Sequence, residues 1–164
     1  MKITLKDGKP ASAEQIQIFE DTLGRPLSPS FKKFVETNDG ARPESNTFKV
    51  SDTDGSGVSR FIPLEEIWKD RTYFEELPEK AYPVARAACG DRVAIDEGKN
   101  GAVFFLDHET GELLQLAPDF EAFLDMLEPF DIRTVEFDRS KIEKVWVTPD
   151  FKERFKKYLI KPED

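Results

Sequence analysis

Residues 83–127 read PVARAACGDRVAIDEGKNGAVFFLDHETGELLQLAPDFEAFLDML. Val93 and Ile95 alternate with Arg92, Ala94 and Asp96, the period of two that marks a strand with one face buried. Glu97, Gly98, Lys99, Asn100 and Gly101 then supply turn chemistry. Ala102 to Leu106 is apolar on both faces, as expected of a covered, central strand. Thr110 and Gly111 turn the chain, and Leu113 to Ala117 returns as the next strand. Pro118 and Asp119 open a helix with Phe120, Phe123, Leu124 and Leu127 on one face, which must lie on the sheet. The stretch therefore predicts an α+β fold.

Upstream, Ser12 with Gln15 forms a capping-box pattern before a helix that runs to Leu23. Ile16, Phe19 and Leu23 share its buried face with Ile18 beside them, and Gly24 is placed to end it. Ser28 as cap and Pro29 at the first helical position start a second helix, with Phe31, Phe34 and Val35 inside and Asn38, Asp39 and Gly40 as its stop. Short strands are expected at residues 2–5, at Thr47 to Val50 and at Phe61 and Ile62, with a flexible polar loop over residues 51–59. Pro63 opens a helix that buries Leu64, Ile67 and Trp68. Thr72 to Leu77 reads as a further helical turn or two, anchored by Tyr73, Phe74 and Leu77, and Tyr82 to Ala85 as a strand. Residues 1–130 are expected to form the domain. Residues 131–164 are expected to be a C-terminal extension packed on it, with strands at Thr134 to Phe137 and Val145 to Val147 and a helix from Thr148 and Pro149.

The chain of 164 residues is long enough to bury a core without a metal or disulfide, and its 14 Phe residues supply much of that core. The net charge is −9, and residues 1–130 carry 15 basic against 25 acidic side chains. Such a surface opposes nucleic acid and anionic membrane and suits a basic partner. The lone Cys89 excludes an internal disulfide. With no apolar leader and no run of about 20 apolar residues, a cytoplasmic location is expected.

Candidate chemistry is sparse. Asp52, Asp54, Ser56 and Gly57 match the front of a calcium loop, but its twelfth position is Pro63 where a Glu is required, which leaves a polar loop as the better reading. His108 is the single histidine, between Asp107 and Glu109. Neighbouring side chains on a strand end alternate in direction, so a structural turn is favoured over a metal or acid–base site. An enzyme would need a cleft where His108 meets at least two of Asp91, Asp96 and Asp107. Cys89 has no evident activating base. Lys152, Arg154, Lys156 and Lys157 read as the solvated face of a helix.

Three pieces in order resemble the SUKH superfamily, the group that includes the fungal cell-wall assembly regulators. The first carries Leu23, Gly24, Leu27, Pro29, Phe31, Phe34, Asn38 and Gly40. The second carries Gly90, Asp91, Gly101, Val103, Phe104, Asp107 and His108, and the third carries Phe120, Phe123 and Leu124. Together they span roughly residues 13–127. The usual Leu-Pro pair before the second helix is split here by Ser28. The resemblance implies a single α+β domain with a mostly antiparallel central sheet flanked by helices. It also implies a non-enzymatic role without cofactor or metal, as an immunity protein that binds and blocks a cognate toxin, often a nuclease. A scaffolding or regulatory domain without a toxin is the alternative. With the acidic surplus, it makes Asp91, Asp96, Glu97, Asp107 and Glu109 the expected partner-binding residues.

Overall fold

A computed structural model describes residues 3–130. The expected strands and helix over 134–149 and beyond lie outside the described residues, as do the four basic residues Lys152, Arg154, Lys156 and Lys157. The described chain is α+β, four α-helices with a sheet of five antiparallel strands and two small two-stranded antiparallel pairs. The five strands are β5 (Arg60–Phe61), β6 (Ala81–Arg86), β7 (Arg92–Asp96), β8 (Ala102–Leu106) and β9 (Leu113–Ala117), hydrogen-bonded in that order. The small pairs join β1 (Leu5–Lys6) to β2 (Arg42–Pro43) and β3 (Thr47–Lys49) to β4 (Gly55–Gly57). No helix among the described residues is long and apolar enough to cross a membrane.

The interior strands form as their sequence dictates. β8 is buried at every position and lies between β7 and β9. Register pairs Ile95 with Val103 and Val93 with Phe105, so these four side chains share the face on which the helices pack. The bulge in β6 falls between Pro83 and Ala85, where proline's missing N–H disturbs the ladder least.

β7 departs from expectation. Val93, Ala94, Ile95 and Asp96 are all buried, because the second face of the sheet is also covered. Phe74 and Leu77 pack there with Ala81, Ala94 and Leu106. Those two residues stand in consecutive turns rather than in the expected helix. Tyr73, expected as an anchor, is 70% exposed; without helical periodicity only one of two neighbouring aromatics faces the sheet.

On the other face, α1 (Ala13–Leu23), α2 (Pro29–Asn38), α3 (Leu64–Arg71) and α4 (Phe120–Asp125) enclose an aromatic core. Phe120 meets Phe31 and Phe34 edge-on, with centroids 5.1 and 5.0 Å apart, the favoured geometry for ring quadrupoles. Trp68 is partly buried and stacks on Phe19. Ile18 lies outside this core and is exposed, and Leu124 is only partly buried.

The helix starts divide into local and borrowed caps. Ser12 and Gln15 exchange both capping-box bonds, and Asp119 accepts the N–H of Ala122. Gly24 ends α1 in the left-handed region as expected. Ser28 stands at the start of α2, but its hydroxyl makes no cap bond. The expected polar loop contains β4, and Ser51 and Asp54 bond to one another to close the β3–β4 turn.

Pro63 has no side chain with which to cap α3, and Asp39 Oδ1 accepts the Leu64 N–H at 3.0 Å in its place. Burial pushes the Asp39 carboxyl up to about 6, against the opposing pull of that N–H. A carboxyl whose folded pKa is raised adds stability below the unfolded value of about 4 and loses it as pH rises through about 6. Asp39→Asn keeps the acceptor oxygen and removes the charge. It should stabilise the chain at pH 7.5 by about 1 kcal/mol, discounted for partial exposure. It should also flatten the part of the stability profile between about pH 4 and 6, as read by urea titration across pH.

Candidate functional site

The two segments singled out in the sequence meet at one end of the sheet. Arg92 opens β7 and pairs with Leu106 at the close of β8. The Cys89–Asp91 turn and the Asp107–Glu112 turn are therefore neighbours. Asp91 Oδ1 accepts both the backbone N–H of His108, at 3.1 Å, and its ring Nδ1–H, at 2.7 Å. That bond to Asp91 is the main reason the His108 imidazole is held above its usual pKa. Asp107 Oδ1 accepts the amides of Thr110 and Glu109, which draw its carboxyl below the usual range. Gly111 completes the turn with φ +72°. A Cβ there would both strain the backbone and lie 2.9 Å from Glu76 Cγ. The stem of Glu76 thus crosses this turn and adds a carboxyl to the same end.

A latch behind the Asp91 turn fixes it. Asp70 of α3 is 5% exposed and takes the Arg92 guanidinium through two contacts, Nε–Oδ2 at 2.6 Å and Nη2–Oδ1 at 3.4 Å. Arg92 Nη1 donates onward to the carbonyl oxygens of Gly90 and Asp91, and its guanidinium lies 5.0 Å from the Phe74 ring centroid. Arg86 adds a bond to Glu66 at 3.0 Å and a longer approach to Asp70. One arginine thereby ties α3, the second-face cover and the Asp91 turn together. This latch is not among the sequence-based expectations. Its signal was there: Leu64, Ile67 and Asp70 recur at a spacing of three, which puts a carboxyl on the buried side of a helix.

The five expected partner-binding acids separate by environment. Asp96 is 5% and Glu97 3% exposed, which takes both off the surface and corrects their assignment. Asp96 Oδ1 accepts the Gly98 N–H and shapes the turn after β7. Glu97 Oε1 accepts the Ser28 N–H at 2.9 Å and the Tyr82 hydroxyl at 2.7 Å, so it takes the N-cap N–H of α2 as an N3 Glu or Gln does in a capping box, where α2 itself carries Phe31. Burial first, and the Glu97 carboxyl second, push the Tyr82 hydroxyl well above its ordinary pKa. Asp91, Asp107 and Glu109 remain at the surface end. The first two give an oxygen to local structure, and Glu109 and Glu112 of the second turn are exposed, as is Glu76, whose stem lies against Gly111.

His108 thus meets Asp91 and Asp107 but not Asp96. Two grooves of the described residues lie elsewhere and are not lined by these three. One, about 490 Å³, lies among Leu5, Phe34 and Leu124. The other, about 450 Å³, lies among Glu20, Gly24 and Arg25 at the end of α1. What the sheet end presents is an open, acidic rim on a rigid base.

The family model described as SMI1 / KNR4 family (SUKH-1) matches residues 10–126, a span that takes in α1 through α4 and the whole five-stranded sheet. No curated protein matches the chain.

Proposed function

The chain belongs to the SMI1 / KNR4 family (SUKH-1), and from that membership we propose that it is a cytoplasmic immunity protein. It binds a basic toxin domain through the acidic sheet end and blocks it without chemistry of its own. The observation that supports this reading is the rim itself: Asp91, Asp107, Glu109 and Glu112 on two turns joined through Asp91 and His108, with the Glu76 side chain packed against Gly111 and the Asp91 turn held from behind by Arg92 and Asp70. Exposed charge of one sign on a preformed surface raises the rate of encounter with an oppositely charged partner. It also competes for the phosphate-binding groups of a nuclease. Tyr73, exposed near this end on the segment that carries Phe74 and Glu76, offers the aromatic contact typical of interface anchors.

The test is co-expression of the full chain with the product of the adjacent open reading frame, scored for toxicity alone and rescue together, followed by association kinetics on the purified pair. Growth should be restored, and the association rate should fall by about tenfold or more between 50 and 500 mM salt as the steering field is screened. Toxicity unrelieved by co-expression overturns the proposal.

A further inference from the structure

Three metal-ligating side chains converge at the acidic rim. One ligand atom from each of Asp91, Asp107 and His108 lies within 4.8 Å of the other two. Asp91 Oδ1 and His108 Nδ1 are 2.7 Å apart. Two adjacent ligands, each about 2.1 Å from a small divalent cation, are separated by roughly 3.0 to 3.4 Å. Exchanging the shared proton for a cation therefore asks for a displacement well under an ångström at this pair.

The ligands are oriented by bonds that do not use the ion. The His108 amide holds Asp91 Oδ1, Arg92 holds the carbonyl oxygens on either side of the Asp91 amide, and two turn amides hold Asp107 Oδ1. The second oxygen of each carboxyl takes no part in these bonds. The imidazole lies against Gly90, where a Cβ would stand 3.4 Å from Nε2. Outer bonds of this kind are what fix metal ligands in place.

We infer that Asp91, Asp107 and His108 form a solvent-open site for a first-row divalent cation of the zinc class, with water completing its coordination. One imidazole nitrogen and two carboxyl groups suit such an ion. They fall short of the six to eight oxygens that calcium takes.

The experiment is calorimetric titration of the full chain, freed of any affinity tag, with Zn²⁺. His108→Ala, Asp107→Asn, Cys89→Ser and Glu109→Gln are titrated alongside. Asp107→Asn keeps the oxygen that accepts the two turn amides, so it reads ligation apart from folding. One ion per chain is expected in the parent, unchanged in Cys89→Ser and Glu109→Gln. Binding should weaken at least about tenfold in His108→Ala and in Asp107→Asn. Co²⁺ added to the parent should give a visible absorption that His108→Ala lacks. Absence of binding up to about 1 mM Zn²⁺, full binding in either ligand variant, or binding that disappears with Cys89→Ser overturns the assignment.

Discussion

Glu97→Ala is expected to cost about 3–5 kcal/mol of folding stability, while Glu109→Ala stays within about 0.5 kcal/mol of the parent. Both are acids of the same stretch, and a sequence reading puts them on the same surface. Glu97 Oε1 instead stands between the Ser28 N–H and the Tyr82 hydroxyl, and Tyr82 is fully buried. Alanine strands two buried donors, each costing about 1–3 kcal/mol, and opens a void that the surroundings fill only in part. The site cannot close by sliding the neighbouring turn inward. A Cβ on Gly101 would already lie 2.6 Å from Ser28 Cβ, so the Gly101 backbone is already packed against the Ser28 side chain. Glu97→Gln keeps the accepting oxygen and should lose less than half as much. Urea unfolding with an unchanged slope reads all three variants. A Glu97→Ala loss below about 1 kcal/mol would show that Glu97 does not anchor α2.

Asp70→Ala is expected to cost a similar amount, about 3–5 kcal/mol, by leaving the Arg92 guanidinium in a mostly buried place without its partner. The effect should reach the rim, because Arg92 also fixes the carbonyl oxygens of Gly90 and Asp91. Arg92→Ala releases the same turn directly. If the two residues act as one latch, the double variant should be less destabilised than the sum of the singles, by about 1–3 kcal/mol. The same pair of variants should broaden or shift the His108 ring resonances, since Asp91 is the residue that holds Nδ1. Strict additivity, with the His108 signals unmoved, would separate Asp70 from the rim and leave it a local ion pair.

The contrast between these residues shows where sequence is readable. Signals that act within a few residues came through: the Ser12–Gln15 box, the Gly24 stop, the all-apolar β8, and the burial of Phe120 and Phe123 on α4 and of Leu127 just beyond it, with Leu124 of the same expected face only partly buried. Signals that act across the fold did not. Glu97 serves a helix start 69 positions earlier in the chain, and Asp39 serves one 25 positions later; nothing near either residue encodes its partner. Ala94 looked like a solvent-facing position because alanine is neutral to both settings, and only the placement of Phe74 and Leu77 buries it. At the rim, the residue types at Asp91, Asp107 and His108 were visible. Their convergence was not, because period-two alternation sends adjacent side chains apart, whereas the residues after β8 have already left the strand for a turn.

The acidic rim is the proposed working surface of the molecule. Co-expression with the toxin domain tests it when the parent is set beside a variant carrying Glu76→Lys, Glu109→Lys and Glu112→Lys, all exposed positions. The variant should keep the parent's circular dichroism and melting temperature and lose protection, with binding weaker by about a hundredfold or more. A folded variant that protects cells as well as the parent would place the working surface elsewhere on the protein.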